Sequence, residues 1–527
     1  MSASPRSTAS NTGSTRRVTR LIHKHPRRFI VLVSLAARLV AWTLVFLSAG
    51  VINGEPFDSS PALVSSSSAA AALPVLGSRA GVSPSPSPFV ERLAGSQLRW
   101  DAIHFAHIAQ TLQVGPGGWT SFVYKYEYEH EYAWPPGVPA LMRIGAYVGR
   151  AVGLLHGDGH TFEMWQLLLG SAGLSILLDP SVHLYELTLL QLKSPRLALL
   201  AALSCAIGGT SPATWLSGVY TELPYTFFAI RGLIFCHQER WLWASFAFAF
   251  ATAFRANGVL LAGFVAWGVV VAPLLGGTAV RRRVSWVPLL LSSNELTRIA
   301  LDLVTSTRLP SQFTSITISL AKCLVFIPIC ISPFILHQKN GYDAFCQQSP
   351  SGRPAWCSNR IPSIYAHVQS HYWNVGFLRY WRPEQIPNFF LGAPPLIVVI
   401  PAAVKCVRDA LTNLLSSAKP SPTTKEYGGR GDDPPQAALS LLPHALHALA
   451  LSFILVFASH TQISLRVIPT LPFFHWAVAQ LLSQRPMIAG GSDAVGSNER
   501  GKALWIGWLV VWWPISCVLW GAFLPPA

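Results

Sequence analysis

Apolar runs alternate with short polar stretches along almost the whole chain. The runs at 29–51, 165–192, 197–213, 223–236, 241–254, 259–275, 316–336, 389–407, 438–458, 463–482 and 504–523 predict helices. About 20 apolar residues cross a hydrocarbon core as a helix, and a lone segment in lipid satisfies its backbone only in that form. Several runs are short for a full crossing, so tilting or merging is expected. A further run at 138–155 carries Arg143 and Arg150 and reads equally as a re-entrant segment or a surface segment. The pattern predicts an all-α polytopic membrane protein with about 8–12 transmembrane helices, roughly eleven on a direct count.

Composition agrees with this pattern. The 527 residues are 51% hydrophobic and only 12% charged, with a mean hydropathy of +0.38, which sets a soluble globular protein aside. The net charge of +16, from 39 basic and 23 acidic residues, would elsewhere suggest nucleic acid. Here the basic residues are dispersed and no nucleic-acid module accompanies them, so no nucleic-acid partner is expected. They mark cytosolic loops instead. Placing Lys193/Arg196, Glu239/Arg240, Arg281 to Arg283, Lys405/Arg408 and the 484–502 loop on the cytosolic side gives one consistent topology. Counting 138–155 as a full crossing would invert it.

The chain then divides into a basic, disordered cytosolic tail at 1–28 and a membrane domain at 29–527. The run from Phe29 carries Arg38 and lacks a convincing cleavage site, so it reads as a retained anchor. A first loop across the membrane spans 51–135 and contains a Ser/Ala/Pro-rich insertion at 55–90 that cannot build a core. A second large loop covers 337–387, and a polar linker, on the cytosolic side, covers 412–437.

With charges scarce, their placement carries information. QLRWDAIHFAH at 97–107 puts Arg99, Trp100 and Asp101 ahead of His104 and His107. The spacing of Trp100, His104, His107 and Ile108 predicts a short helix lying along the membrane surface. YKYEYEHEYAWPPGVP at 124–139 is dense in tyrosine and acid and breaks on prolines, which predicts a loop or elbow. The topology gathers these with Tyr220-Thr221-Glu222, Arg255-Ala256-Asn257-Gly258, the 337–387 loop and His460-Thr461-Gln462 on the side opposite the cytosol. Such a cluster suits an enzyme at a membrane surface. A lipid or ion transporter, the rival class, would more often place its charges at mid-depth on repeat-related helices. Cys346 and Cys357 in the second loop form a disulfide if that side is an oxidising lumen, or stay as two free thiols. No cysteine and histidine spacing resembles a zinc site.

The ordered segments RWDAIHFAHIAQ, YEHEYAWPPGVP, SPATWLSGVYTELP, FRANG, PSIYAHVQSHYWNVGFLRYWRPEQIPNFFLGAPP and SHTQISLRVIPTLPFFHWAVAQLL together resemble the GPI mannosyltransferase 2 family in a fungal-type version. The resemblance runs from about Phe29 to the C-terminus, leaving out 55–90 and the linker. It implies a GT-C type glycosyltransferase, multi-pass in the endoplasmic reticulum membrane, with its active site in lumenal loops. The implied reaction takes mannose from dolichyl phosphate mannose to the first mannose of the GPI-anchor precursor, through an α1,6 bond. The donor and the precursor glycolipid are then its partners, and the resemblance leaves room for a small membrane-protein subunit. Related readings are transfer to another acceptor and a non-catalytic subunit of such an enzyme.

An α product from a β-linked donor requires inversion, so a carboxylate must take the acceptor's proton. Asp101 matches the acid of the family's first lumenal loop and is the expected general base; by motif alone it reads as a helix cap. Arg255 and Arg466, preceded by His460, are candidates for the leaving phosphate, or are snorkelling or ion-paired side chains. Arg99 either joins them or holds the acid ionised. Trp100 is expected to contact substrate. Glu222, Glu129 and Glu131 are secondary acids or interfacial hydrogen-bond acceptors. Tyr372, Trp373 and Asn374 either bind sugar or anchor the boundary. His104 and His107 are expected to be structural. A lipid monophosphate donor and the lack of a DxD pair in this loop predict no metal and no obligatory cofactor.

Overall fold

The computed structural model describes residues 24–52, 87–114, 122–124, 126–157, 162–276, 309–347, 352–416, 434–483 and 499–524. Most of the basic tail, nearly all of the 55–90 insertion, Arg281 to Arg283, most of the 412–437 linker and most of the 484–502 loop lie outside the described residues.

The described chain is a bundle of helices. Seven helical segments are long and apolar enough to cross a membrane: Pro26–Val51, Met164–Leu192, Ala256–Leu274, Thr317–Gln347, Pro383–Thr412, Leu439–Phe457 and Glu499–Gly521. Two shorter apolar helices, Pro195–Ala206 and Trp241–Phe254, join them. The candidates at 223–236 and 463–482 became Glu222–His237 and Pro472–Ser483, of 16 and 12 residues. At 1.5 Å per residue these reach about 24 and 18 Å, less than a hydrocarbon core. The 165–192 run, expected as one helix, breaks at Asp179–Pro180 into Met164–Leu177 and Ser181–Leu192. Pro180 disfavours helix at the residue before it. Asp179 then accepts the Ser181 amide at 2.8 Å and takes up Arg38 and Ser34 of the first helix.

The helix of the RWD motif, α1 (Asp101–Gln110), differs from its sequence expectation. Instead of presenting a free face it is enclosed by protein, with Ala102 through Ala109 all buried. It sits against α2 (Gly137–Ala151) and α3 (Met164–Leu177). Those two cross at Gly145 and Gly170, where a Cβ on Gly145 would stand 2.1 Å from the Gly170 carbonyl oxygen. Only glycine permits that approach. The 138–155 run thus holds a 15-residue helix with one buried face, including Arg143, and an exposed apolar face at Ile144 and Val148.

The elbow at 124–139 is a short 3-10 turn, Glu129–Ala133, preceded by a two-stranded ribbon pairing Leu112–Val114 with Phe122–Tyr124. It packs on the second large loop. Tyr132, Trp356, Cys357, Ile364 and Val368 form a small separate core there, and Cys346 is joined to Cys357 in a disulfide. A bridge closing so short a loop stabilises by about 2–4 kcal/mol. Maleimide labelling under denaturing conditions is therefore expected to reach these two sulfurs only after reduction, whereas labelling without reductant would contradict the bridge.

Candidate active site

α1 begins where the chain reverses. Trp100 has φ +50°, a left-handed value costly for a bulky residue, and it separates Arg99 from Asp101. Arg99 turns into the bundle. It donates to the carbonyls of Gly521 (3.1 Å), Gly95 and Leu98 (both 3.0 Å) and lies 4.1 Å over the Phe523 ring. Burial lowers its guanidinium to about 10. Arg99 therefore fastens the RWD turn to the last helix, and no ion pair joins it to Asp101 among the described residues.

Asp101 faces the other way. Its Oδ2 lies 2.9 Å from Arg466 Nη1. The Nε of the same guanidinium donates to Glu222 Oε1 at 2.7 Å, and Arg255 Nη1 reaches that oxygen at 3.0 Å. Arg255 also donates to Thr221 Oγ1 at 3.0 Å. Four residues from four separate stretches thus form one network of two cations and two anions. Their side-chain exposure grades across it: Glu222 0%, Arg255 and Arg466 15%, Asp101 29%. Asp101 is the carboxylate at the open end.

Local sequence places each member. Glu222 is the first residue of its helix, α4 (Glu222–His237), where an acid is favoured by the helix dipole. Arg255 follows the end of Trp241–Phe254 in extended conformation. Arg466 belongs to the single turn Ser464–Val467, held by Ser464 Oγ donating to the Gly392 carbonyl. Beneath the network lies Tyr220, which the sequence reading located in its turn but did not assign a role. Its ring sits 4.9 Å from the Arg466 guanidinium carbon, and its hydroxyl donates to the Arg99 carbonyl at 2.8 Å. Burial pushes its phenol pKa up, so it acts as a neutral floor. The only signal in the sequence was a tyrosine two residues before a rare acid.

The remaining candidates form a second layer. His107 Nδ1 and Glu131 Oε1 are 2.6 Å apart in the interior, and the other Glu131 oxygen accepts the amides of Glu127 and Tyr128. His104 stacks on Trp134 at 3.9 Å. Both histidines thus hold the elbow onto α1. Glu129 accepts Trp356 Nε1 at 2.9 Å and lies 3.5 Å from the Tyr372 hydroxyl, linking the two large loops. His460 Nε2 bonds the Trp373 carbonyl at 2.9 Å, and its ring stacks on Tyr380; burial lowers its pKa. Trp373 meets Trp134 edge-on, and Asn374 takes a left-handed φ of +52°. The structure ties His460, Glu129, Glu131 and the 372–374 stretch to the elbow and the second large loop, with no bond from any of them to Asp101 among the described residues. Among the described residues no three His, Cys, Asp or Glu side chains converge as a metal site would require.

The His107–Glu131 pair makes stability depend on pH. The hydrogen bond to Glu131 raises His107 above its ordinary 6.5 against opposing burial. Burial raises Glu131, but the bonds from His107 and two backbone amides outweigh it and leave it below 4.5. The histidine's contribution is full below 6.5 and fades as pH rises through its raised value. The acid's is full above 4.5 and fades as pH falls through its lowered value. The pair is thus strongest between those values. Glu131→Gln is expected to cost about 1–3 kcal/mol and to shrink the difference in melting temperature between pH 5.5 and pH 8. An unchanged difference would contradict this.

An apolar groove of about 830 Å³ is lined by Trp381, Phe389, Phe390, Leu396, Ile397 and Val456, with Arg382 and Thr461 also on its walls. Thr461 opens the short segment that reaches Arg466.

The model of a family described as Mannosyltransferase (PIG-V) matches residues 30–276 and 287–527. The chain is 28% identical over 512 residues to GPI mannosyltransferase 2 of Cryptococcus neoformans, covering 93% of this chain and 100% of that one. It is 28% identical to GPI mannosyltransferase 2 of Aspergillus fumigatus, with 96% of each covered. Over 443 residues it is 29% identical to GPI alpha-1,6-mannosyltransferase 2 of Mus musculus, with 81% of each covered.

Proposed function

Because the chain belongs to the mannosyltransferase (PIG-V) family, and is thus a multi-pass membrane glycosyltransferase of GT-C type, we propose that it adds the second mannose of the GPI-anchor precursor. In this reading the donor is dolichyl phosphate mannose, the acceptor is the first mannose of the precursor glycolipid, and the new bond is α1,6. The site faces the lumen of the endoplasmic reticulum.

One observation carries the assignment of chemistry. Asp101 is the outermost member of an otherwise buried ionic network, fixed by one arginine and still 29% exposed. A carboxylate in that state is oriented and reachable, as a general base must be. The acceptor hydroxyl oxygen attacks the anomeric carbon of the donor mannose. The bond from that carbon to the phosphate oxygen breaks, its electron pair leaves with dolichyl phosphate, and the hydroxyl proton passes to Asp101. Attack from the face opposite the leaving group inverts the centre. Arg466 holds the base through its 2.9 Å pair, Arg255 neutralises Glu222 behind it, and Trp100 borders the turn on which the base sits. Tyr372 to Asn374 lie on the loop that would cover the sugars. No metal has a part in these steps, and transfer is expected to persist in chelator.

Two further features support a lipid-linked substrate in an oxidising compartment. The groove offers an apolar bed with Thr461, five residues before Arg466, on its wall, and a disulfide such as that of the second loop suits such a compartment. The test is expression in cells lacking their own second GPI mannosyltransferase. Rescue means that the one-mannose precursor disappears and surface GPI-anchored proteins return. Persistence of that precursor, with the protein present in the endoplasmic reticulum, would overturn the assignment.

A further inference from the structure

Arg466 is shared between two carboxylates, and only one of them can be reached from outside. Its Nη1 lies 2.9 Å from Asp101 Oδ2, and its Nε donates to Glu222 Oε1 at 2.7 Å. Glu222 is fully buried behind the guanidinium, whereas Asp101 is partly exposed in front of it. We propose that Glu222 is a positioning residue for the transfer: by sharing Arg466 with Asp101, it lets the arginine hold the base in place without making it too weak a base. The inference rests on the reading of Asp101 as general base.

A planar guanidinium bound at two edges has its orientation fixed, so Glu222 sets the direction from which Nη1 meets Asp101. An unshared arginine at that distance would lower a carboxylate pKa by about 1–3 units. A base of lower pKa accepts a proton less readily in the transition state. The second anion offsets part of that field. Against its burial, Glu222 itself stays ionised because Arg466 at 2.7 Å and then Arg255 at 3.0 Å meet the same oxygen.

The charged and titratable groups around Asp101 are few. Arg466 faces it from Ser464–Val467, Tyr220 from the turn before α4 and Glu222 from the first position of α4, with Arg255 behind Glu222. Arg99 is turned onto the Gly521 carbonyl, and His460 is bonded to the Trp373 carbonyl. Neither neutral Tyr220 nor any of these groups replaces the charge that Glu222 contributes.

The test uses the full-length enzyme reconstituted in vesicles, with dolichyl phosphate mannose and a one-mannose GPI glycolipid. In Glu222→Gln the acid limb of the kcat profile is expected to move to lower pH. At neutral pH kcat falls about tenfold, with acceptor KM unchanged. Glu222→Asp, which keeps the charge, retains the wild-type limb. An unmoved limb in E222Q, or a raised acceptor KM with kcat retained, would overturn the proposal and make Glu222 a substrate contact or a plain structural residue. Should E222Q fail to accumulate as folded protein, Arg466→Lys asks the same question. A single ammonium cannot reproduce the two-edged bridge, so kcat falls about tenfold or more at unchanged acceptor KM; wild-type kcat overturns the proposal. Asp101→Asn in the same vesicles separates the two readings. If D101N retains transfer, the base assignment fails; if it is inactive while E222Q keeps its limb, only the present inference fails.

Discussion

Asp101→Asn is expected to lower the rate of mannose transfer by about 10²–10⁴-fold with little loss of folded protein. Asparagine keeps the shape of the side chain and an oxygen that can accept from Arg466, which lies 2.9 Å from the native carboxylate. What it removes is the capacity to take a proton. Cells carrying D101N as their only copy should accumulate the one-mannose precursor. Unaltered transfer would remove Asp101 from the chemistry and leave it the ordinary role of an acid at a helix start.

Arg466→Ala carries the second large effect, on folding as well as activity. The arginine neutralises both Asp101 and the fully buried Glu222. Removing it leaves Glu222 with Arg255 alone. Breaking one partner out of a buried ionic network costs about 3–5 kcal/mol. R466A is therefore expected to melt several degrees lower in detergent and to lose transfer, whereas Asp101→Asn loses transfer alone. A variant that melts like wild type would show that the network contributes little to stability, and one that transfers normally would release Arg466 from the site.

Much of this was legible because charge is rare in the chain. Asp101, Glu222, Arg255 and Arg466 stood out as polar residues near the ends of apolar runs, and the topology grouped them at one side. The fold class followed from the runs themselves. Hidden from the sequence was direction. Arg99 and Asp101 are two residues apart, yet the left-handed backbone at Trp100 sends one to the last helix and the other to Arg466. The helix after them looked amphipathic because His104 and His107 are polar, but periodicity records polarity and not partners. Glu131 and Trp134, from a loop more than 20 residues on, cover both histidines and make the helix interior. The break at Asp179–Pro180 was signalled by the proline, but its purpose was not. It frees Asp179 to meet Arg38, a charge in the first helix that would otherwise be buried without a counter-ion.

The mannosyl transfer itself is tested most directly by the purified protein in vesicles, with dolichyl phosphate mannose and a one-mannose GPI glycolipid as the sole substrates. The expected product is a two-mannose glycolipid whose new residue is released by an α1,6-specific mannosidase, formed by wild type and not by D101N. A product with a β bond or another linkage, or equal product from D101N, would contradict it.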